Sequence, residues 1–395
     1  MKTQLVIFGL TGDLGQRKLL PALDDLLNQK HLKPTDLEVI GISRREIDAS
    51  DILAHSLGDE AESSKLSSIL KFHQMNLADL DDYISLKKYL SQDKKTQILL
   101  YLSVPPTSAA KISELAGKAG LNSPNVKILF EKPFGINLTS AESFLEATHE
   151  YFPESQILRV DHYLAKKSVR NLTSIFEKND ILRQTLALRQ ITSIEIIASE
   201  KIDIEGRGIF YEQTGVLRDF IQGHLMEILA VILSKGSNDL RNARAEALEN
   251  ILSVVDTAVQ ARRAQYIGYR TEAQSPKSIV ETFADIQLFS NDENWKNIPI
   301  HLISGKALNS KKSQIIIHFV KNKPGLRIDL AEQPSDMQPY AQAFLDAING
   351  NSDYFVSQRE ILASWRIFDE ILKDWAFSGE EGLITYQKGI DWQNI

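Results

Sequence analysis

The stretch Phe8-Gly9-Leu10-Thr11-Gly12-Asp13-Leu14-Gly15 decides the fold of the amino-terminal part of this chain. It joins a short apolar run, Leu5–Phe8, to a segment with helical periodicity, Leu14–Leu27. Glycines at such a junction permit a tight strand-to-helix turn and let backbone N–H groups approach a phosphate at the positive end of the helix. The spacing G-x-x-G-x-x-G differs from the commoner G-x-G-x-x-G, so a glycine turn without a ligand remains an alternative.

Short apolar runs and helical stretches alternate after this turn, which is typical of βαβ units on a parallel sheet. Such a turn, placed first in a βαβ series, favours dinucleotide binding. The pattern predicts further strands over Leu37–Ile42, Ile98–Val104, Val126–Phe130 and Ile157–Val160. It predicts helices over Leu14–Leu27, Ser108–Ala119 and Ser140–Tyr151, and a polar, helical stretch that reaches about Leu70.

The pattern changes after Val160, which places a domain boundary between residues 160 and 161. Runs that alternate apolar and polar residues over Ile279–Leu330 indicate an antiparallel meander. Other elements are predicted as a strand over Ser193–Glu200 and helices over Tyr163–Lys178, Gly215–Leu233, Tyr340–Ile348 and Glu360–Trp375. The prediction is an α/β domain over residues 1–160, followed by an α+β domain over residues 161–395 with a large, mostly antiparallel sheet.

Composition excludes several classes of protein. The 395 residues include 45 Lys+Arg and 52 Asp+Glu, a net charge of −7 that argues against nucleic acid as a partner. The absence of cysteine excludes disulfides and thiolate chemistry and suits a reducing cytoplasm. No apolar run approaches the ~20 residues of a membrane span. We expect a cytoplasmic protein that binds neither nucleic acid nor membrane.

The end of the second predicted strand indicates which dinucleotide binds. An acidic residue there would hold the ribose 2′-hydroxyl of NAD, but this strand ends in Ser43-Arg44-Arg45. Two guanidinium groups and a hydroxyl suit a 2′-phosphate, so NADP is the predicted cofactor. A pair of solvated arginines that opens a loop is the alternative.

Polar residues crowd together just after the fifth predicted strand. Asp161, His162, Tyr163 and Lys166 lie where an α/β sheet places its ligand crevice. If a helix begins here, His162 and Lys166 share one face at positions i and i+4, and the group resembles a phosphate cradle. The alternative is a helix start capped by Asp161, with a histidine satisfied in the core.

His224 is a polar residue in the otherwise apolar helix predicted over Gly215–Leu233. A buried, hydrogen-bonded histidine would explain it without any catalytic role. A histidine near its unperturbed pKa of ~6.5 is also the natural general base near neutral pH, if a carboxylate orients it. The remaining histidines show no metal-ligand spacing, so no metal is expected.

A series of short motifs runs from Leu5 to about Trp375. The motifs are Gly12-Asp13-Leu14, Arg17–Leu23, Tyr101–Pro106, Glu131–Gly135, Arg159–Lys167, Glu205–Gly208, Arg218–Leu225, Gly305–Asn309 and Phe355–Ile367. In this order they resemble the glucose-6-phosphate dehydrogenase family. The resemblance implies a Rossmann-type NADP-binding domain and oxidation of glucose 6-phosphate to 6-phospho-D-glucono-1,5-lactone in the oxidative pentose phosphate pathway. It also implies a homodimer.

The resemblance assigns roles to residues of this chain. His224 is implied as the general base, with Asp161 as its carboxylate partner, and Lys132 as the residue that positions cofactor and substrate. The implied cofactor-binding residues are Gly9, Thr11, Gly12, Asp13, Leu14, Ser43, Arg44, Arg45, Ser103, Pro105 and Lys132. The implied substrate-binding residues are Lys132, His162, Tyr163, Lys166, Glu200, Asp219, Lys306 and Lys311.

The chain also departs from the family pattern. Lys311 stands where the family usually has an arginine, which loses bidentate geometry. The segment between Val320 and Tyr340 is short, and the tail after Trp375 lacks the usual ending. A second, structural NADP site is therefore expected to be absent, and dimerisation is less strongly implied. Two other readings remain: a sugar dehydrogenase of the Gfo/Idh/MocA type, which also carries Glu-Lys-Pro, and a non-catalytic nucleotide-binding relative.

Overall fold

The computed structural model describes residues 2–178, 190–234, 239–252, 260–320, 325–333 and 336–395. The chain divides into two compact units. The first unit comprises Met1–Gly135, Thr139–Lys166 and Met337–Gln358, and the second comprises Ile136–Leu138, Lys167–Asp336 and Arg359–Ile395. The first unit thus continues six residues past the predicted boundary at 160/161. It also includes Met337–Gln358, a segment that the sequence pattern placed in the second domain.

The first unit contains a six-stranded parallel sheet, as the alternating pattern predicts. Its strands follow the order β3-β2-β1-β4-β5-β6, so the order reverses between β1 and β4. All six residues of β1 and all six of β4 are buried, because helices cover both faces of a sheet of this kind. The strands are β1 Thr3–Phe8, β2 Leu37–Ser43, β3 Leu70–Gln74, β4 Gln97–Leu102, β5 Val126–Phe130 and β6 Ile157–Arg159.

Helices follow these strands in the way a dinucleotide-binding fold requires. The helices are α1 Leu20–Asn28, α2 Ala49–Leu57, α3 Leu80–Tyr89, α4 Pro106–Lys118, α5 Leu138–His149 and α6 His162–Ala165. A π-helical segment, Gly15–Leu19, precedes α1. The strand β3 and the helix α3 were not predicted from the sequence.

The late segment of the first unit contributes the helix α12, Pro339–Asn349. Ala341, Phe344 and Ala347 are fully buried in the hydrophobic core that β1, β2 and α1 also line. The ring of Phe344 lies 5.3 Å from that of Tyr101 in β4. This helix therefore completes the core of a unit whose other elements all precede residue 167.

The second unit is built on a seven-stranded sheet in the order β12-β11-β7-β10-β9-β8-β13. Its strands are β7 Ile191–Ser199, β8 Ala261–Tyr266, β9 Phe283–Leu288, β10 Ile300–Gly305, β11 Lys312–Phe319, β12 Leu326–Asp329 and β13 Leu383–Tyr386. The pairing is mostly antiparallel, as predicted, but β10 runs parallel to β7 and β13 runs parallel to β8. The meander predicted over Ile279–Leu330 is therefore wrong in one respect, because β7 separates β10 from β11. Residues 321–324 of that prediction lie outside the described part.

Helices in the second unit are more broken than the sequence pattern predicts. They are α7 Lys167–Lys178, α8 Gly208–Val216, α9 Met226–Leu233, α10 Leu240–Glu249, α11 Tyr269–Glu272 and α13 Gln358–Ser378, with a π-helical segment over Leu217–Leu225. The helix predicted over Tyr163–Lys178 is interrupted at Lys166, which has extended backbone angles. In the described part of the chain, no helix combines the length and hydropathy needed to cross a membrane.

Candidate active site

The glycine turn after β1 has a geometry that only glycine accommodates. Gly9 has φ +84°, and a Cβ placed there would lie 2.2 Å from the carbonyl oxygen of Ser103. The N–H of Gly12 donates to the carbonyl of Gly9 at 2.9 Å, which closes the turn. The turn therefore packs directly against the end of β4, at the point where the strand order reverses. The structure thus places Ser103 against the turn that contains the predicted cofactor residues Gly9, Thr11, Gly12, Asp13 and Leu14. Pro105, also predicted to bind the cofactor, immediately precedes α4.

The segment after the turn begins as a π-helix, which the sequence did not indicate. A Cβ at Gly15 would lie 2.1 Å from the carbonyl oxygen of Leu10, so this glycine allows the wide first turn to close. Gly12 and Asp13 are exposed, and Asp13 forms an exposed ion pair with Arg17 at 2.9 Å. The backbone of the turn is thus open to a ligand at a helix N-terminus, where anions are stabilised.

The loop after β2 presents the two arginines predicted to hold a 2′-phosphate. The N–H of Arg45 donates to Ser43 Oγ at 3.1 Å, and Gln74 Nε2 donates to the carbonyl of Arg44 at 3.2 Å. These bonds hold the loop backbone, while Arg44 and Arg45 are exposed. Both residues follow the carboxyl end of β2, the strand that pairs with β1.

Lys132 and Asp161 form an ion pair at the carboxyl ends of β5 and β6. Lys132 Nζ lies 3.1 Å from Asp161 Oδ2, and the Asp161 side chain is fully buried. The other oxygen, Oδ1, accepts a hydrogen bond from the N–H of Tyr163 at 2.8 Å, which caps α6. Asp161 therefore has the capping role that the alternative interpretation gave it, and it also contacts Lys132.

His162, Tyr163 and Lys166 meet as predicted, but by a different geometry. The helix α6 ends at Ala165, so the i, i+4 helical face expected for His162 and Lys166 is wrong. Instead, Lys166 Nζ lies 3.6 Å from the centre of the Tyr163 ring, whose edge-to-face partner is the His162 ring at 4.9 Å. A cation above an aromatic ring is stabilised there.

Tyr340, at the start of α12, stacks on the His162 ring at 6.1 Å with an interplanar angle of 16°. Sequence reasoning missed this residue. The sequence placed Tyr340 at the start of a predicted helix, but nothing in the sequence indicated its contact with His162.

The second unit holds His224 in the π-helical segment, where it is buried with 8% of its surface exposed. Its ring lies 5.3 Å from that of Phe220 in an edge-to-face contact. Gln222 is bonded twice to Ser364 of α13, since Gln222 Nε2 donates to Ser364 Oγ at 3.3 Å and Ser364 Oγ donates to the Gln222 carbonyl at 2.7 Å. These bonds hold the segment that carries His224 against α13.

The segment that carries Asp219 and His224 starts at a sharp kink at Gly215, the residue where the sequence predicts the long helix to begin. Gly215 has φ +59°, and a Cβ there would lie 2.2 Å from Glu281 Oε1. That oxygen accepts a hydrogen bond from the N–H of Leu217 at 3.0 Å. Burial raises the pKa of Glu281. A buried carboxyl group therefore caps the helix start that leads to Asp219, which is itself half-buried.

Glu200 and Lys306 form a second ion pair, and both residues belong to the second unit. Lys306 Nζ contacts Glu200 Oε2, and Lys306 is almost completely buried. The backbone fixes both residues, because Glu200 N–H donates to the Gly305 carbonyl at 2.9 Å and Lys306 N–H donates to the Thr282 carbonyl at 2.9 Å. Lys311, in contrast, is exposed in the turn that precedes β11.

A parallel sheet with this strand order, a glycine turn at the reversal point and exposed arginines after β2 is typical of a dinucleotide-binding domain. The model of the glucose-6-phosphate dehydrogenase NAD-binding domain matches residues 6–171, and that of the C-terminal domain matches residues 175–332 and 325–392. The chain belongs to the glucose-6-phosphate dehydrogenase family and is an enzyme of that family.

Individual relatives agree with this assignment. Glucose-6-phosphate 1-dehydrogenase of Helicobacter pylori (strain J99 / ATCC 700824) is 30% identical over 397 residues, which cover 93% of this chain and 92% of the relative. The crystal structure of glucose-6-phosphate 1-dehydrogenase from Mycobacterium avium superimposes with a TM-score of 0.83 at 26% identity, over 99% of this chain and 95% of that one. A glucose-6-phosphate dehydrogenase solved with glucose 6-phosphate shares the fold, with a TM-score of 0.86 at 24% identity over 99% and 95% of the two chains.

Proposed function

We propose that this protein oxidises D-glucose 6-phosphate at C1 to 6-phospho-D-glucono-1,5-lactone, with NADP as hydride acceptor. The observation that carries the proposal is the group at the ends of β5 and β6, where an ion pair, two aromatic rings and a buried ammonium cluster together. A sugar phosphate needs cations for its phosphate and hydrogen-bonding groups for its hydroxyls. Free sugars, the substrates of the Gfo/Idh/MocA type, have no use for such a cation cluster.

The proposed binding residues fall into three groups. His162, Tyr163 and Lys166 hold the phosphate, and Glu200, Asp219, Lys306 and Lys311 contact the sugar in the proposed complex. The dinucleotide fits the first unit, because the glycine turn is exposed at Gly12 where its pyrophosphate would approach, and Arg44 and Arg45 are exposed for a 2′-phosphate. Lys132 positions both ligands.

The chemistry requires a base for the C1 hydroxyl proton. We assign that role to His224, whose imidazole takes the proton as the C1–H bond breaks. Asp161 is assigned as the carboxylate that orients the imidazole and stabilises its protonated form. NADP, when bound, supplies the acceptor that takes the hydride from C1. Proton and hydride together account for the two hydrogens lost when the hemiacetal becomes a lactone.

The direct test follows absorbance of the reduced nicotinamide with purified protein and glucose 6-phosphate. Rapid reduction of NADP supports the proposal. Faster reduction with free glucose or inositol would instead favour a sugar dehydrogenase, and saturable NADPH binding without turnover on any sugar phosphate would favour a non-catalytic relative. The cytoplasm and a homodimer are the proposed location and assembly, and light scattering of the purified protein tests the second.

Cofactor choice depends on the loop after β2. The double variant Arg44→Ala, Arg45→Ala is expected to raise KM for NADP about 10- to 100-fold, since a charge-assisted hydrogen bond contributes about 1.5–3 kcal/mol. KM for NAD should change less than about threefold, because NAD lacks the 2′-phosphate. Steady-state kinetics with both cofactors measures this. Lys71→Ala, which removes an exposed cation of the neighbouring strand β3, is the matched control and should leave both constants unchanged.

Lys306→Ala tests the substrate side. Removal of the buried ammonium is expected to raise KM for glucose 6-phosphate at least about tenfold, the effect of one lost hydrogen bond to a charged group. KM for NADP should stay near the wild-type value. Lys312→Ala, at the half-exposed residue that begins β11, is the control and should retain wild-type KM for both ligands. Equal increases in the two KM values of Lys306→Ala would contradict a role at the sugar.

A further inference from the structure

Glu131 is a polar residue at the carboxyl edge of the first unit's sheet that the proposed mechanism does not use. It directly follows β5 and is partly buried. Its Oε1 accepts a short hydrogen bond from the hydroxyl of Tyr101 in the adjacent strand β4. The Tyr101 ring is buried against Phe344, so the hydroxyl is held in place by packing on its other side.

Several charged or titratable groups face Glu131. The N–H of Lys132 donates to its carboxyl group, and the Lys132 ammonium and the Asp161 carboxylate both act on it through their charge. Tyr340 belongs to α12, and burial together with the negative charges of Glu131 and Asp161 raises the pKa of its hydroxyl. Among the described residues, the groups that interact with Glu131 thus include the Lys132 ammonium, the Asp161 carboxylate and two phenols.

Two neighbouring carboxyl groups repel each other as anions, so ionisation of one opposes ionisation of the other. Asp161 is the better stabilised anion, because it has the 3.1 Å ion pair with Lys132 and the hydrogen bond from Tyr163. For Glu131, loss of hydration and the negative charge of Asp161 raise the pKa to about 7, against the opposing effects of the Tyr101 hydrogen bond and Lys132.

We propose that Glu131 is a positioning residue: with Tyr101 it holds one exchangeable proton beside the Lys132–Asp161 ion pair, and loss of that proton divides the Lys132 ammonium between two carboxylates. Below neutral pH, among the described residues, the Lys132 ammonium faces the Asp161 carboxylate and a neutral Glu131, which favours an anionic ligand. Above neutral pH the Glu131 carboxylate also attracts the Lys132 ammonium, and its negative charge repels an anionic ligand. The consequence for ligands rests on the proposed function, which makes Lys132 a contact of cofactor and substrate.

The proton itself is tested by infrared titration of the purified protein, which needs no turnover. The wild type should show a carboxylic-acid carbonyl band that disappears as the pH rises through about 7. Glu131→Gln should lack that band. Tyr101→Phe keeps the ring but removes the donor that stabilises the carboxylate, so its band should persist about one pH unit higher. Tyr83→Phe is the matched control, because it removes a buried hydroxyl bonded to the carbonyl of Leu77, and its band should titrate as in the wild type.

The positioning role is tested by NADP affinity, measured by titration calorimetry at pH 6 and pH 8. Wild-type affinity should weaken about fivefold more over this range than that of Glu131→Gln, the size of effect that one partly screened charge near an ammonium produces. The ligand's own phosphate titrates equally in both proteins and cancels in the comparison. If Glu131→Gln does not fold, the shifted band of Tyr101→Phe carries the test.

Two results would overturn the proposal: a wild-type protein with no carboxylic-acid band that titrates between pH 5 and 9, and equal pH dependence of NADP affinity in wild type and Glu131→Gln. Neither result depends on sugar oxidation. A protein that shows the titrating band but oxidises no sugar phosphate would refute the proposed function and leave the shared proton in place.

Discussion

His224→Asn is expected to lower kcat for glucose 6-phosphate oxidation at least about 100-fold, the usual scale of general-base catalysis. Asparagine fits a similar space and keeps a hydrogen-bonding side chain, so the buried segment over Leu217–Leu225 should remain folded. It cannot accept the C1 hydroxyl proton. KM for both ligands should therefore change little while kcat falls. The acid limb of the pH–rate profile, which reports protonation of the base, should vanish from the residual activity.

The matched control for this variant is His318→Asn in β11. His318 is partly exposed, and its Nε2 lies within hydrogen-bonding distance, 3.0 Å, of Glu195 Oε1 on the second unit's sheet. It carries the same substitution outside the proposed machinery, and kcat should stay within about twofold of wild type, as is usual for a surface change. Wild-type turnover in His224→Asn would show that another group takes the proton.

Gly9→Ala is expected to destabilise the first unit by about 2–4 kcal/mol and to weaken NADP binding at least about tenfold. The backbone conformation at φ +84° is strained for alanine, and the new Cβ would lie 2.2 Å from the Ser103 carbonyl. The turn or the end of β4 must move to relieve that contact, and either shift displaces the N–H groups proposed to meet the pyrophosphate. Urea unfolding and calorimetric titration with NADP measure the two effects.

Gly58→Ala separates backbone strain from steric contact. Gly58 has φ +58°, but no atom lies within 4 Å of the Cβ position. Its cost should be about 1–3 kcal/mol from the positive φ alone, with NADP affinity unchanged. The prediction would be contradicted if both glycine variants lost the same stability and both kept wild-type affinity for NADP. The close approach of the turn to Ser103 would then not contribute to NADP binding.

The strands of the first sheet were predictable because they are buried on both faces. Such strands are short, continuous apolar runs, and Val126–Phe130 has the bounds that its sequence indicates. The strand Leu70–Gln74 was missed because it lies at the sheet edge with a single buried residue, so its sequence shows no apolar run. The position of β7 between β10 and β11 was not predictable either, since strand pairing over long separations leaves no local pattern.

The candidate site also has parts that were predictable from the sequence and parts that were not. Asp161, His162, Tyr163 and Lys166 are neighbours in sequence, so their clustering was predictable from spacing. The contacts that hold such residues come from distant parts of the chain: Tyr340 stacks on His162, and Glu281 caps Leu217 across 64 residues. Glu131 was visible in a quoted motif, but its hydrogen bond to Tyr101 depends on the pairing of two strands, which sequence spacing does not reveal.

The late helix α12 has a consequence for synthesis of the protein. Residues 1–166 leave the ribosome long before Ala341, Phe344 and Ala347, which complete the core of the same unit. Throughout that interval the face of Tyr101 and its neighbours lacks its covering helix, and the nascent chain exposes an apolar surface of the kind that chaperones bind. The nucleotide-binding half of this enzyme therefore finishes folding only after most of the second unit has been translated, although it is encoded first.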